Sequence, residues 1–377
     1  MKYCNRCLQT DTRPNIKFDE KGICPACNYA ESLKCVNWKQ RRGELEEIAE
    51  FGRKNNYSGY DCIIGVSGGK DSTRQAIYVR EELKLKPLLV SLNYPPAQLT
   101  YRGAHNISNM ISLGFDVITI GPSPLIWKKF MRLGFFKYGN WAKSTELSLF
   151  GSVPRFAVAY QIPLIFWGEN PALTMGELGV QSMGGEGNKM KNMNTLAGGD
   201  LIWLLESGVK NKQILNYRYP SDAEMERASL RIIYLGYYWP KWTNLDNGNF
   251  SASYGLDIRG ESPYETGDLL GVTAVDDDWV ILNQMIKYFK FGFGKVTEQV
   301  CEDVRYRGMD RQIAAKLIEK FDGKCSEENI ETFCRFIDIS KEEFWKVVDQ
   351  FVNKDLFTKV GFGKWVPRFK VGENFNA

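Results

Sequence analysis

The stretch CIIGVSGGKDST, residues 62–73, decides the fold. Cys62, Ile63, Ile64 and Val66 surround Gly65 as a buried strand would, and DSTRQAIYVREEL after the turn has helical spacing. Between them the two glycines, Gly68 and Gly69, let backbone amides approach an oxyanion closely. Ser67 and Ser72 add hydroxyl donors, Lys70 adds a point charge, and the following helix aims its positive end at the same place. The turn reads as a phosphate cradle. It is not a Walker A loop, which needs Gly-x-x-x-x-Gly-Lys-Ser/Thr: here Ile64 stands at the first glycine and Asp71 follows the lysine.

Outward from this turn, strands and helices alternate. KPLLVSLNY, FDVITIG and IPLIFWGENP read as further strands, RGAHNISNMISLG and FGSVPRFAVAYQ as helices, and RASLRIIYLGYYWPKW offers one more strand. This alternation predicts βαβ units and a parallel sheet covered on both faces. Ligands of such sheets bind beyond the carboxyl ends of the strands, where SGGKDS and GENP both lie. From about residue 278 the chain turns helical, through WVILNQMIKYFKF, DRQIAAKLIEKF, EENIETFCRFI and SKEEFWKVVDQFV, the last opened by a capping box from Ser340 to Glu343. Residues 176–200, rich in Gly, Asn and Met, read as a loop or lid.

A chain of 377 residues with 44% apolar content predicts two or three domains. With 49 basic and 45 acidic residues, the net charge of +4 is too slight a bias to point to a nucleic-acid or membrane-surface partner and leaves the partner open. No apolar run approaches the roughly 18 residues of a spanning helix, and the first residues lack a signal-peptide core, so a cytoplasmic protein without a membrane partner is expected. His105 is the sole histidine, which excludes a multi-histidine metal centre. Four of the nine cysteines form two Cys-x-x-Cys pairs, Cys4 with Cys7 and Cys24 with Cys27. That spacing fits four thiolates on a structural Zn²⁺, which a segment this short needs in order to fold. The predicted organisation is a zinc ribbon over 1–33, a linking helix over 34–58 that docks it, the nucleotide domain over 59–245, and a mostly helical substrate or partner domain over 246–377.

The Ser-Gly-Gly-x-Asp-Ser turn resembles the loop of the PP-loop ATP pyrophosphatases, which split ATP between the α and β phosphates. The resemblance implies a HUP-like, adenine nucleotide alpha hydrolase-like α/β domain. It also implies ATP binding by Ser67, Gly68, Gly69, Lys70, Asp71 and Ser72, with adenine read through backbone groups at Ser91 and Asn93. Asp71 and Glu169 would serve Mg²⁺ or the substrate, and Asn170 the substrate. Lys70, Asp71 and Glu169 are the catalytic candidates. Over nearly the whole chain, the order of zinc module, GVSGGKDS, IFWGENP and then residues 286–324 resembles the N-acetyl sugar amidotransferases of bacterial surface-polysaccharide (LPS O-antigen) biosynthesis. KYFKFGFGK and DVRYRG are the discriminating part of that match. It implies adenylation of an acetamido carbonyl on an acidic sugar, a nucleotide sugar or a nonulosonic acid. Ammonia then displaces AMP to give an acetamidino group.

That ammonia would come from a separate glutaminase with a barrel subunit similar to imidazole glycerol phosphate synthase. The sequence agrees, since Lys2 stands where an N-terminal nucleophile cysteine belongs and a triad glutaminase would have to use His105. Arg305, Arg307 and Arg311 are candidates to clamp the sugar's acidic groups, with Lys290 and Lys295 beside FGFG. Tyr254, Lys189 and Lys191 are candidates to close over the adenylate. Two other readings stand beside this one. A tRNA-thiolating PP-loop enzyme shares the zinc module, but calls for a basic surface and a pair of reactive thiols. A zinc-ribbon interaction protein with a decayed nucleotide domain sits poorly with an intact SGGKDS.

Overall fold

The computed structural model describes residues 1–175, 185–192 and 196–376. The cysteine module leads into α1 (Pro25–Ser32), which starts with proline in its first turn directly after Cys24. Asn37 then caps α2 (Trp38–Lys54) by accepting from the Gln40 amide at 3.1 Å.

The central sheet collects β1 (Cys62–Val66), β2 (Pro87–Leu92), β3 (Asp116–Ile120), β4 (Leu164–Trp167) and β5 (Arg231–Tyr234), all parallel, in the order β3-β2-β1-β4-β5. Its helices are α3 (Lys70–Glu81), α4 (Tyr101–Ser112), α5 (Pro124–Tyr138) and α6 (Ala142–Tyr160), followed after β4 by the short α7 (Pro171–Thr174), α8 (Ile202–Leu205) and α9 (Asp222–Arg227). The chain winds outward from β1 to β3 and then returns to the other side of β1 as β4. The loops after β1 and β4 therefore part at the edge where such sheets open a crevice. The strand predicted in RASLRIIYLGYYWPKW is β5.

Side chains alternate across the sheet, as the two-residue period requires. Cys62, Ile64, Leu89, Phe166 and Ile233 pack against Leu45 and Ile48 of α2 and Ala76, Ile77 and Val79 of α3. Ile63, Val90, Ile165 and Ile232 face the opposite way, into a larger core that runs through α5 and α6 to the C-terminal helices and Tyr3 and Leu8 of the cysteine module. α5 and the first half of α6 escape the sequence reading because apolar side chains lie around much of their circumference. They sit between sheet and C-terminal helices, so neither shows a clean amphipathic stripe.

The remainder is α10 (Asn244–Ser253), α11 (Pro263–Thr266), α12 (Trp279–Phe291), α13 (Lys295–Arg307), α14 (Arg311–Phe321), α15 (Glu327–Ile337), α16 (Lys341–Phe351) and an antiparallel hairpin of β6 (Phe357–Gly361) and β7 (Lys364–Pro367). Of the predicted capping box, Ser340 accepts the Glu343 amide at 3.1 Å. Among the described residues no helix is long and apolar enough to cross a membrane.

Elements of the fold run across two of the predicted boundaries. The 33/34 boundary falls inside a 3₁₀ turn, Leu33–Cys35, and the 245/246 boundary falls inside α10, which packs on α3. α2 does not dock the cysteine module but covers a sheet face. The module is held instead by the C-terminal part of the chain, where the Met1 amino group donates to the Phe375 carbonyl at 2.6 Å and the Tyr3 amide to Asn374 at 3.0 Å. Of the loop predicted over 176–200, residues 176–184 and 193–195 lie outside the described residues. Residues 185–188 run along β5, with the Gly187 amide on the Ile232 carbonyl at 2.6 Å.

The Phe135 ring of α5 stacks on Phe344 of α16 at 5.3 Å and meets Phe333 of α15 edge-on at 5.5 Å, joining the sheet's layers to the C-terminal helices. Phe135→Ala is expected to lower unfolding stability by about 3–5 kcal/mol, measured by urea denaturation, with one transition in the parent protein because the core is continuous.

Candidate active site at the carboxyl edge of the sheet

β1 ends at the buried Val66, and the chain turns through Gly68 at φ +74°, a left-handed conformation natural to glycine. A Cβ there would stand 2.9 Å from Asn106 Cβ. No side chain caps α3 at Gly69, so its leading amides remain available to an anion. Lys70, 8% exposed, donates to Asp71 Oδ2 at 2.7 Å. Burial works against its charge, but the adjacent Asp71 outweighs that and leaves the lysine above its usual range.

α10 holds this turn from outside. Asn247, buried, donates to Asp71 Oδ1 at 2.6 Å and accepts from Arg74 at 2.6 Å, while Ser251 donates to the Lys70 carbonyl at 2.7 Å. The Arg74 guanidinium lies over the Trp239 ring at 4.5 Å. Sequence reasoning missed Asn247, Ser251 and Arg74. Nothing in NLDNGNFSAS marks its function, and a buried polar residue is visible only once the helices pack.

A pocket of about 170 Å³ opens between the turns after β1 and β4. Ser67, Lys70, Asp71, Ser72 and Glu169 form its polar end, and Val90, Leu92, Phe150, Val153 and Trp167 an apolar slot. Crowding by the walls, with the Asp71 carboxylate adding to it, pushes the Glu169 carboxyl up to about 7, although solvent reaches the side chain through the mouth. Two carboxylates facing one polar recess, one raised by the other, suit a divalent cation between them. Gln75 Oε1 is buried at the same place without a partner.

Several predicted positions lie elsewhere. Ser91 and Asn93 do not line the pocket; Val90 and Leu92 do, because strand alternation turns Ser91 toward the opposite face. Asn170 caps α7, accepting the Ala172 amide at 3.2 Å, and donates to Tyr29 at 3.2 Å and the Gly236 carbonyl at 3.3 Å. The three arginines are likewise engaged within the fold. Arg305 is buried with its guanidinium 3.7 Å from Cys7 Sγ, Arg311 donates to the Cys7 and Cys4 carbonyls at 3.0 and 3.3 Å, and Arg307 pairs with Asp246 at 3.0 Å. Lys295 pairs with Glu298 at 3.7 Å, and Lys290 donates to the Tyr138 carbonyl at 2.8 Å. Lys191 pairs with Asp222, the Tyr254 carbonyl accepts from Asn109 at 2.8 Å, and neither these two nor Lys189 lines the pocket. His105 is exposed on α4.

Cys4, Cys7, Cys24 and Cys27 are buried with their sulfurs all within 4.8 Å of one another. Cys4 to Cys27 measures 3.9 Å and Cys7 to Cys24 3.7 Å. Tetrahedral coordination with metal–sulfur bonds of about 2.3 Å needs edges of about 3.8 Å, so the cluster fits a four-thiolate metal. Four thiolates exceed a divalent charge by two, and the buried Arg305 guanidinium offsets part of that excess.

Residues 263–370 match the family described as LPS biosynthesis protein WbpG-like, C-terminal domain. That stretch, under a third of the chain, is what resembles the family. This WbpG-like region contributes Val272 and Ala274 to the wall of the sheet-edge pocket. An uncharacterized protein of Methanocaldococcus jannaschii is 35% identical over 92 residues, 24% of this chain, and the match spans about a third (32%) of that relative's length. Among solved structures, the NMN synthetase of Francisella tularensis is similar at TM-score 0.28 and 13% identity over 58% of this chain and 96% of that one. The NH3-dependent NAD synthetase of Campylobacter jejuni aligns at 0.28 and 14% over 60% and 100%. The U34-tRNA thiolase NcsA of Methanococcus maripaludis, with its [4Fe-4S] cluster, aligns at 0.29 and 14% over 71% and 79%.

Asn247→Ala leaves an Asp71 oxygen and Arg74 without their shared partner, at a cost of about 1–3 kcal/mol. The expected outcome is a folded protein with nucleotide binding weakened at least about tenfold, read by calorimetry with ATP and Mg²⁺ against the parent chain.

Proposed function

We propose that the protein is an ATP-dependent, AMP-forming amidotransferase of LPS O-antigen biosynthesis that converts an acetamido group on an acidic sugar to an acetamidino group. One observation carries this reading: the wall of the SGGKDS pocket is completed by Val272 and Ala274 of the WbpG-like region. A phosphate-gripping turn and a polysaccharide-biosynthesis domain thus face the same recess.

In this reading ATP lies with its base in the apolar slot and its β and γ phosphates on Lys70 and the α3 amides. The acetamido oxygen attacks the α phosphorus, the α–β bond breaks, and pyrophosphate leaves toward Lys70. Ammonia adds to the activated carbon, AMP departs with the former acetamido oxygen, and the amidine forms with release of a proton to solvent. Asp71 and Glu169 would hold Mg²⁺, which when bound neutralises phosphate charge. The four cysteines would hold Zn²⁺ in a structural role, since a closed four-thiolate site leaves no position for substrate. Ammonia would come from a separate glutaminase, consistent with an exposed His105 that is not among the pocket's lining residues. Against thiolation, no cysteine is among the lining residues, and burial raises the thiols of Cys62 and Cys301 well above the usual range.

Incubation with ATP, Mg²⁺, an ammonium salt and acetamido sugars should give AMP and a product about one mass unit lighter, the exchange of oxygen for NH, read by mass spectrometry. AMP formation that requires tRNA and a sulfur donor instead would overturn the reading.

Because a proton competes with the cation for Glu169, whose carboxyl is pushed up to about 7 in the metal-free chain, Mg²⁺ affinity should rise with pH through about 7, read by calorimetry. Glu169→Gln should abolish that rise. Cys24→Ser should reduce zinc from about one per chain, measured by elemental analysis.

A further inference from the structure

One turn beyond Asp71 on α3, Gln75 is fully buried and lines the sheet-edge pocket. Its Nε2 donates to the Phe166 carbonyl of β4 at 3.3 Å, and that contact settles which end of the amide is nitrogen. Oε1 is thereby turned away from the strand, and no donor among the described residues reaches it. A buried acceptor left without a donor costs about 1–3 kcal/mol. Since Gln75 lies in the pocket wall, a donor for it has to come from the pocket.

Gly168, directly after β4, keeps space in front of this oxygen. A Cβ there would stand 3.1 Å from Gln75 Oε1 and 3.3 Å from the Asp71 carbonyl oxygen, closer than side-chain carbons ordinarily pack. Glu169 follows at once, with its carboxylate at the polar end of the same pocket. The corner between Gln75, Gly168 and Glu169 thus offers acceptor oxygens, while Lys70, the lining cation, is turned to Asp71 Oδ2 at 2.7 Å. Such a corner takes a species rich in N–H or O–H donors, and the missing side chain at Gly168 leaves room for one of a single heavy atom.

Ammonia is the reactant of that size in the function proposed above, on which this inference rests. We propose that Gln75 Oε1 and the Glu169 carboxylate hold the attacking ammonia by its N–H groups in the corner beside Gly168. Gln75 then places the nucleophile, and Gly168 limits its size. With three N–H groups and one lone pair, ammonia meets both acceptors and still turns its lone pair to the activated carbon. A carboxylate has two oxygens, so Glu169 serves a cation and ammonia together. The cation does not account for Gln75. Mg²⁺ completes its octahedron with phosphate oxygens and waters that it gives up reluctantly, whereas Oε1 is a neutral oxygen sealed from water.

The test is the ammonium dependence of acetamidino formation by the full chain at fixed pH. Gln75→Met keeps the chain length without the acceptor and should raise KM for ammonium about tenfold, with kcat and the KM for ATP each moving less than about twofold. Gln75→Glu should hold KM near the parent value, because a carboxyl crowded by Asp71 and Glu169 stays protonated, still donates to Phe166 and still presents an oxygen. Gly168→Ala narrows the corner from the other side and should also raise KM, which serves if Gln75→Met does not fold. An ammonium KM that both Gln75→Met and Gly168→Ala leave unaltered overturns the proposal and spares the function. Equal losses in Gln75→Met and Gln75→Glu also overturn it, by assigning Gln75 to its Phe166 contact, as does a loss of Mg²⁺ affinity in Gln75→Met in place of the KM effect. If no acceptor sugar gives product, the function fails and the corner is judged by binding alone. The complex with α,β-methylene-ATP and Mg²⁺ should then unfold at a higher temperature in ammonium chloride than in potassium chloride of equal ionic strength, by a margin that Gln75→Met removes. Equal temperatures in the parent chain overturn the proposal there.

Discussion

Keeping a nearly buried Lys70 charged is the constraint on which the carboxyl edge of the sheet depends. Desolvation opposes the ammonium, so a carboxylate must stand against it, and Asp71 does so at 2.7 Å. Asp71 must then be fixed, which Asn247 does from α10. α10 is fixed in turn by Glu302 of α13, which accepts from the Asn244 amide at 2.8 Å and from its side chain at 3.1 Å. One turn further along α13, Arg305 reaches Cys7. Polar contacts on α10 and α13 thus link the SGGKDS turn, through the two helices, to the four-cysteine cluster.

That continuity changes what the cysteine module does. A short segment with few apolar residues appended to a domain would need its metal only to fold itself. Here Leu8 accepts burial in the main core, its amide donates to Cys301 of α13 at 3.3 Å, and Arg311 of α14 ties down two cysteine carbonyls. The module and the C-terminal helices stabilise each other, and both stand behind the sheet-edge pocket.

Much of this was legible beforehand. The strand–turn–helix of residues 62–73, the parallel sheet, the C-terminal helices and the grouping of four cysteines all follow from local periodicity, glycine placement and ligand spacing. Glu169 was legible too, since it follows a buried strand whose carboxyl end must share the crevice with SGGKDS. The arginines were not: DVRYRG reads equally as an exposed basic face or a substrate clamp, and folding buries Arg305 against sulfur instead. The Ser91 side chain is turned from the pocket for a simpler reason, because a one-residue step along β2 exchanges the pocket face for the opposite core.

The sequence by itself determined the strand–glycine turn–helix of residues 62–73 and the four-thiol set, since each depends on residue type and short spacing, whereas Asp71 and Glu169 meet through the sheet's topology. Only the tertiary structure decided which polar residues support that chemistry. Asn247 lies 176 positions from Asp71, and Cys7 lies 298 from Arg305. No local pattern encodes such pairs, because burial and hydrogen-bond partnership arise only when distant segments pack.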